Sequence, residues 1–123
     1  MLKKLALALA LGVVLLVPTV ARAASELDFT MVNGTGYGIK EVYVSPSAAD
    51  HWGSNILPST LENGQGLKVS FAPQAEGIEE WDLMIVWVDG GDKVYWRGVK
   101  LSEISKITLH YDRESGETSA TAE

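Results

Sequence analysis

The sequence predicts an all-β protein, a small β-sandwich of six to eight mainly antiparallel strands with at most one short helical turn, near residues 47–52. Three observations carry that prediction. Segments rich in β-branched and aromatic residues recur at short spacing with glycine-rich turns between them. Beyond residue 24, no segment of ten or more residues shows the 3.6-residue apolar period of an amphipathic helix. Residues 81–88 (WDLMIVWV) are apolar almost throughout, as expected of a central strand covered on both faces.

The elements follow in order. Leu27-Asp28-Phe29-Thr30-Met31 alternates apolar with polar, which directs Leu27, Phe29 and Met31 inward. Asn33-Gly34-Thr35-Gly36 is a turn of hairpin type, because glycine adopts the positive φ that tight turns need. In the strand over residues 39–45, Val42 and Val44 take one face and Ile39 and Tyr43 the other, so the pattern does not say which face is buried. Pro46 ends it. Ser47 with Asp50 three residues on has the form of a helix N-terminus, with Asp in place of the Glu of a capping box. A turn over residues 62–66 leads into alternating Leu67-Lys68-Val69-Ser70-Phe71, and residues 73–77 form a loop. After the central segment, Asp89-Gly90-Gly91-Asp92 makes a hairpin into residues 93–99. Residues 101–105 bend, and Ile107, Leu109 and Tyr111 share one face of a last strand. Residues 112–123 are small, polar and acidic, with too little apolar surface to order themselves, and are expected to form a flexible tail to a domain spanning 24–111.

Lys3 and Lys4 precede a thirteen-residue apolar run, then Pro18 and Ala21-Arg22-Ala23. This is the pattern of a secretory signal peptide over residues 1–23, and the run falls short of the roughly 20 residues that span a bilayer. The expected location is periplasmic or extracellular, with no stable membrane insertion after cleavage. Without the leader's three cations, 7 basic residues face 16 acidic ones, a net charge of −9. That balance opposes nucleic acid and anionic lipid and leaves cationic partners open. The absence of cysteine excludes a disulfide framework, thiolate metal sites and cysteine nucleophiles.

The segments NGTGYGIKEVYVSPSAADHWGSNIL, LENGQGLKVSF, WDLMIVWVDG and LSEISKITL together resemble a family of small exported bacterial β-domains. Its shared pattern is N-x-T-G-x-x-I-x-x-V-Y-V-S-P-S, a W-G, an L-x-x-G-Q turn and a closing strand. Some members carry enzyme names that a hundred-residue β-domain is too small to house, so the resemblance implies fold and export and no activity. Many relatives carry a cysteine pair, one just before the WD strand and one near Ser102. This chain has neither, which implies reliance on packing alone.

Four function classes compete. Ser45, Ser47, Asp50, Trp52 and Asn55 offer hydroxyl, carboxylate, indole and amide to a small polar ligand or saccharide-like ring. The structural alternative is a corner in which serine and asparagine cap backbone groups and Trp52 closes one end of the sandwich. Asp50, Asn55, Asp89 and Asp92 have the oxygen chemistry of a calcium site, although no D-x-D-x-D-G run is present. Zinc is disfavoured, since His51 and His110 are the only imidazoles and are far apart in sequence. For an enzyme, Ser45, His51 and Asp50 lack the spacing of a triad and no nucleophile elbow or phosphate loop exists. Glu79, Glu80 and Asp82 resemble paired glycosidase carboxylates less than a solvated strand edge. The expectation is a non-enzymatic binding or protein-interaction module, using edge strands or the apolar residues Met84, Val86 and Val88. A domain that binds calcium or a small ligand through residues 45–55 and the 89–92 hairpin is the alternative.

Overall fold

The computed structural model describes residues 24–123, so the expected leader, residues 1–23, lies outside the described residues. Seven strands occur among them: β1 (Phe29–Asn33), β2 (Ile39–Pro46), β3 (Gly66–Val69), β4 (Trp81–Trp87), β5 (Lys93–Val99), β6 (Lys106–Asp112) and β7 (Glu117–Ala122). They form a four-stranded sheet in the order β3-β1-β6-β7 and a three-stranded sheet in the order β2-β4-β5. Every pairing is antiparallel except β1 with β6, which is parallel. The protein is an all-β sandwich.

The core lies between the sheets. Leu27, Phe29 and Met31 are buried as their alternation requires, and so are Leu83 and Ile85 of β4 and Ile107 and Leu109 of β6. Burying each such side chain contributes about 1.5–3 kcal/mol. The ambiguity in β2 has a specific cause. Ile39 pairs with Trp87 while Glu41 pairs with the adjacent Val86, so Lys40 is an extra residue in a β-bulge. The bulge shifts the side-chain parity by one. Ile39, Val42 and Val44 therefore all reach the core, and Glu41, Tyr43 and Ser45 take the other face.

The Asn33 turn is not a hairpin, because β1 and β2 belong to different sheets. It is the crossover between them, held by one fully buried amide. The Asn33 Nδ2 group donates to the carbonyls of Tyr37 (2.7 Å) and Leu61 (2.9 Å). Its Oδ1 accepts from the Thr35 backbone N–H (3.0 Å) and hydroxyl (2.7 Å). All four hydrogen-bonding positions of the side chain are used. Leu61 in turn exchanges two backbone hydrogen bonds with Ile39, the first residue of β2. Gly34 sits so close to β6 that a Cβ would lie 2.9 Å from the Leu109 carbonyl oxygen, and Gly36 takes φ +90°. The N-G-T-G string is therefore dictated by geometry. Asn33-Gly34-Thr35 also has the form of a glycosylation acceptor, but its amide is 0% exposed and fully bonded.

Two further expectations are corrected. Residues 46–49 close as a turn, with the Ala49 N–H donating to the Pro46 carbonyl, and the short 3-10 turns lie instead at Pro73–Ala75 and Leu101–Glu103. The expected flexible tail contains strand β7, paired with β6 from Ile107↔Ala122 to Asp112↔Glu117. Its residues are mostly exposed, so backbone pairing rather than apolar burial orders it.

Replacing Asn33 with Ala leaves the buried Thr35 N–H without its acceptor and takes one of two donors from the Tyr37 and Leu61 carbonyls, which keep the Thr35 hydroxyl and the Ile39 N–H. Expected loss is about 2 kcal/mol, at roughly 1–3 kcal/mol for the unsatisfied buried amide, read as a lowered urea midpoint at unchanged slope. Hydrogen exchange checks β7. Lys106 and Glu123 exchange both backbone hydrogen bonds, so by antiparallel alternation the amides of Glu117, Ser119 and Thr121 are protected. Those of Thr118, Ala120 and Ala122 face the free edge and exchange fast. Uniform fast exchange over 117–122 would refute the strand.

Candidate functional site

The sandwich carries a cleft at each end of β4. From Asp82 at one end to Trp87 at the other, five residue steps of extended chain span about 17 Å. One cleft, of ≈ 320 Å³, is lined by Ser45, Ser47, Asp50, His51, Trp52, Asp82 and Arg97 among others. The second, of ≈ 570 Å³, is lined by Tyr37, Trp87, Asp89, Asp92, Lys93, Tyr111 and Thr118 among others.

At the first, most of the polar chemistry is spent on structure. The Ser45 hydroxyl donates to the His51 carbonyl (2.8 Å), and the Ser47 hydroxyl to Asp82 Oδ1 (2.7 Å). Asp82 is the organising residue, with a side chain only 8% exposed. Its Oδ1 also accepts from the Gly98 N–H (3.0 Å), and its Oδ2 meets Arg97 at 2.9 Å. Gly98 sits where β5 holds an extra residue against β4, at φ +67°. The carboxylate therefore satisfies an amide that the irregular ladder leaves free. Burial pushes the Asp82 carboxyl up, but the Ser47 and Gly98 donors and the Arg97 charge outweigh it and hold the group below its usual range.

Beyond this corner is the outer face of the three-stranded sheet. Met84 and Val86 are buried there, although they point away from the core, while Val88 is exposed. Register sets Met84 between Tyr43 and Tyr95. Trp52 stacks on Tyr95 at 5.9 Å between centroids, and the Arg97 guanidinium lies 5.8 Å from the Trp52 ring and 5.4 Å from Tyr95. Trp52 thus stands on the outer face and does not close an end of the sandwich. The Tyr43 hydroxyl donates to Glu41 at 2.6 Å, and this bond to a carboxylate pushes the phenol's pKa up.

The second cleft is aromatic. Tyr37, Trp87 and Tyr111 meet at centroid distances of 6.5, 5.4 and 5.9 Å, with planes at 83°, 89° and 71° to one another. Asp89, Asp92 and Lys93 of the β4–β5 hairpin line the same space. The Tyr37 carbonyl is held by Asn33, so the core fixes the backbone that presents this ring.

The residues expected from sequence are dispersed accordingly. Ser45, Ser47, Asp50 and Trp52 line one cleft. Asn55 does not: its Oδ1 accepts from the Val42 and Leu57 amides and ties the chain to the edge of β2. Asp89 and Asp92 belong to the other cleft, so the four residues of the expected calcium set are not brought together. Among the described residues no group of three or more acidic, histidine or cysteine side chains is placed to hold a metal ion. Sequence reasoning missed Asp82 as an organising group and missed Tyr37, Trp87 and Tyr111 as a set. The available signal was that Trp87 and Tyr111 each end an inward-facing strand row just before an acidic turn. No family model, curated protein or solved structure matches the chain.

The Asp82 geometry carries a pH signature. Its carboxyl is depressed in the folded state, so its contribution is complete above the unfolded value of about 4 and is lost as pH falls through the lower folded value. The urea midpoint of Asp82→Asn is expected to lie below wild type at neutral pH, with the gap closing only below about pH 4. A gap unchanged down to pH 2 would rule out the charged carboxylate as its source.

Proposed function

We propose that the protein is an exported, non-enzymatic binding module whose ligand occupies the cleft of Tyr37, Trp87 and Tyr111. The observation that carries this is the convergence of three aromatic side chains with Asp89, Asp92 and Lys93 on one cleft. Ligand seats of roughly 300–1,000 Å³ combine apolar walls with a few polar groups that orient the ligand. The lining combines three aromatic residues with two carboxylates and one lysine, a composition suited to recognition. Export rests on the Lys3-Lys4 leader pattern, and membership of the family of small exported domains on the N-x-T-G and S-P-S strings.

A protein-interaction role has support of its own in β7. Its outward amides are unpaired, and from Thr118 to Ala122 the strand has no charge, proline or bulge to block another strand.

A nitrogen-15 NMR screen against mixed small ligands tests the main reading. Shifts are expected at the Trp87 indole and around Tyr37 and Lys93. Tyr37→Ala, at a residue 37% exposed, should weaken the response at least fivefold while the chain stays folded with a cooperative, modestly lowered melt. Perturbations confined to β7 would favour the interaction role, and silence at the cleft would sink the ligand-binding one.

A further inference from the structure

We propose that this cleft recognises a quaternary ammonium group, an inference that rests on the cleft being the ligand seat. The three ring planes are close to mutually perpendicular, at 83°, 89° and 71°, and all three rings border one void. The contacts are edge-to-face, so the rings form one aromatic cluster along the void. A cation seated against an open face of any of them lies within the roughly 6 Å reach of a cation–π contact.

Charge favours the same ligand. Asp89 and Asp92 border the void, and among the described residues the ion pairs are Arg97–Asp82 and Lys106–Glu123, so neither hairpin carboxylate is held in a direct ion pair, although Lys93 lines the cleft and the Lys40 ammonium lies beside Gly91. The rings are also free of internal cations. Lys93 borders the cleft, yet the cation–π contacts among the described residues are those of Arg97 with Trp52 and Tyr95. The 7 basic against 16 acidic residues over 24–123, a net charge of −9 for that span, attract cations over a longer range.

The choice of a quaternary group over other cations follows from hydration. A metal ion keeps a tight shell that needs several oxygen ligands to replace it, and the cleft offers two carboxylates. A primary ammonium surrenders strong hydrogen bonds to water when it enters an aromatic cleft. A quaternary ammonium has no N–H to lose, spreads its charge over apolar methyl groups and gains both dispersion and cation–π attraction. Its source is either a free choline-type molecule or a trimethylated lysine on a peptide.

The test is a calorimetric and NMR titration of the full chain with choline, with its neutral isostere 3,3-dimethylbutan-1-ol, and with a peptide carrying lysine or trimethyllysine. Choline or the trimethylated peptide should shift the Trp87 indole, and whichever binds more tightly identifies the source. The neutral isostere and the unmethylated peptide should bind at least tenfold more weakly, equivalent to about 1.4 kcal/mol. Tyr37→Ala should lower affinity tenfold. Asp89→Asn with Asp92→Asn should lower it and flatten its salt dependence, and both variants should stay folded with a cooperative melt. Equal affinity for choline and the isostere would overturn the ammonium assignment and leave an apolar ligand seat standing. Shifts at the cleft with other small molecules but none with millimolar choline or trimethyllysine would overturn it in the same way. Silence at the cleft with every probe would overturn both.

Discussion

The sandwich depends on one buried amide. The two sheets are joined early in the chain at Asn33, and no disulfide is available to fix that crossing. A polar crossover inside a core of leucine, isoleucine and methionine is tolerable only if every polar atom is bonded, since unpaired groups there cost about 1–3 kcal/mol each. Asn33 meets the condition with two donors and two accepted bonds, and the same groups reach Leu61, which is bridged to the start of β2. The network also fixes something nearer the surface. By holding the Tyr37 carbonyl, it sets the segment that carries the Tyr37 ring into the aromatic cleft. A core constraint and a surface feature are parts of one hydrogen-bonded unit.

Asp82 works on the same principle at the other end of β4, with a different consequence. It joins the corner after β2, the irregular end of β5 and the exposed Arg97. Each bond it makes removes a polar group from the neighbouring cleft as a free ligand contact. Ser47 is committed to Asp82, Ser45 to a backbone carbonyl, and Arg97 is drawn toward Asp82 and two aromatic rings. The serine-rich corner is therefore rich in polar residues and poor in unspent ones. The hairpin carboxylates at the other end have no such commitment among the described ion pairs.

The sheet-forming segments were legible because apolar alternation is a direct record of burial, as in Leu27, Phe29 and Met31 or in Ile107 and Leu109. Three features were not, for three physical reasons. The Lys40 bulge breaks the period on which inward and outward are judged, and nothing in Lys itself announces an extra residue. Strand β7 is ordered by pairing with β6, and main-chain hydrogen bonds leave no apolar trace in ETSATA. Asp82 looked like one of three solvated acids because its neighbours Glu79 and Glu80 are exposed. What distinguishes it is its place on the outer side of a strand buried on both faces, which requires knowing what covers that side. The aromatic cleft was hidden for a similar reason, since its rings come from the β1–β2 crossover, β4 and β6, which only the fold brings together.

Strand parity explains why the cleft lies where it does. On β4 the inward row runs Trp81, Leu83, Ile85, Trp87, and on β6 it runs Ile107, Leu109, Tyr111. Both rows are core along most of their length and end in an aromatic residue that is only half-buried. The cleft is thus the open end of the hydrophobic core, where the sheets extend past the last fully buried layer. An aliphatic residue there would expose apolar surface with nothing to orient it. A tyrosine or tryptophan offers a ring to the core side and a polar edge to water. Its π face adds an electrostatic preference for cations, which the adjacent Asp89 and Asp92 reinforce. The proposed recognition chemistry at this end therefore needs no dedicated element: it would arise where two core rows meet solvent beside an acidic turn.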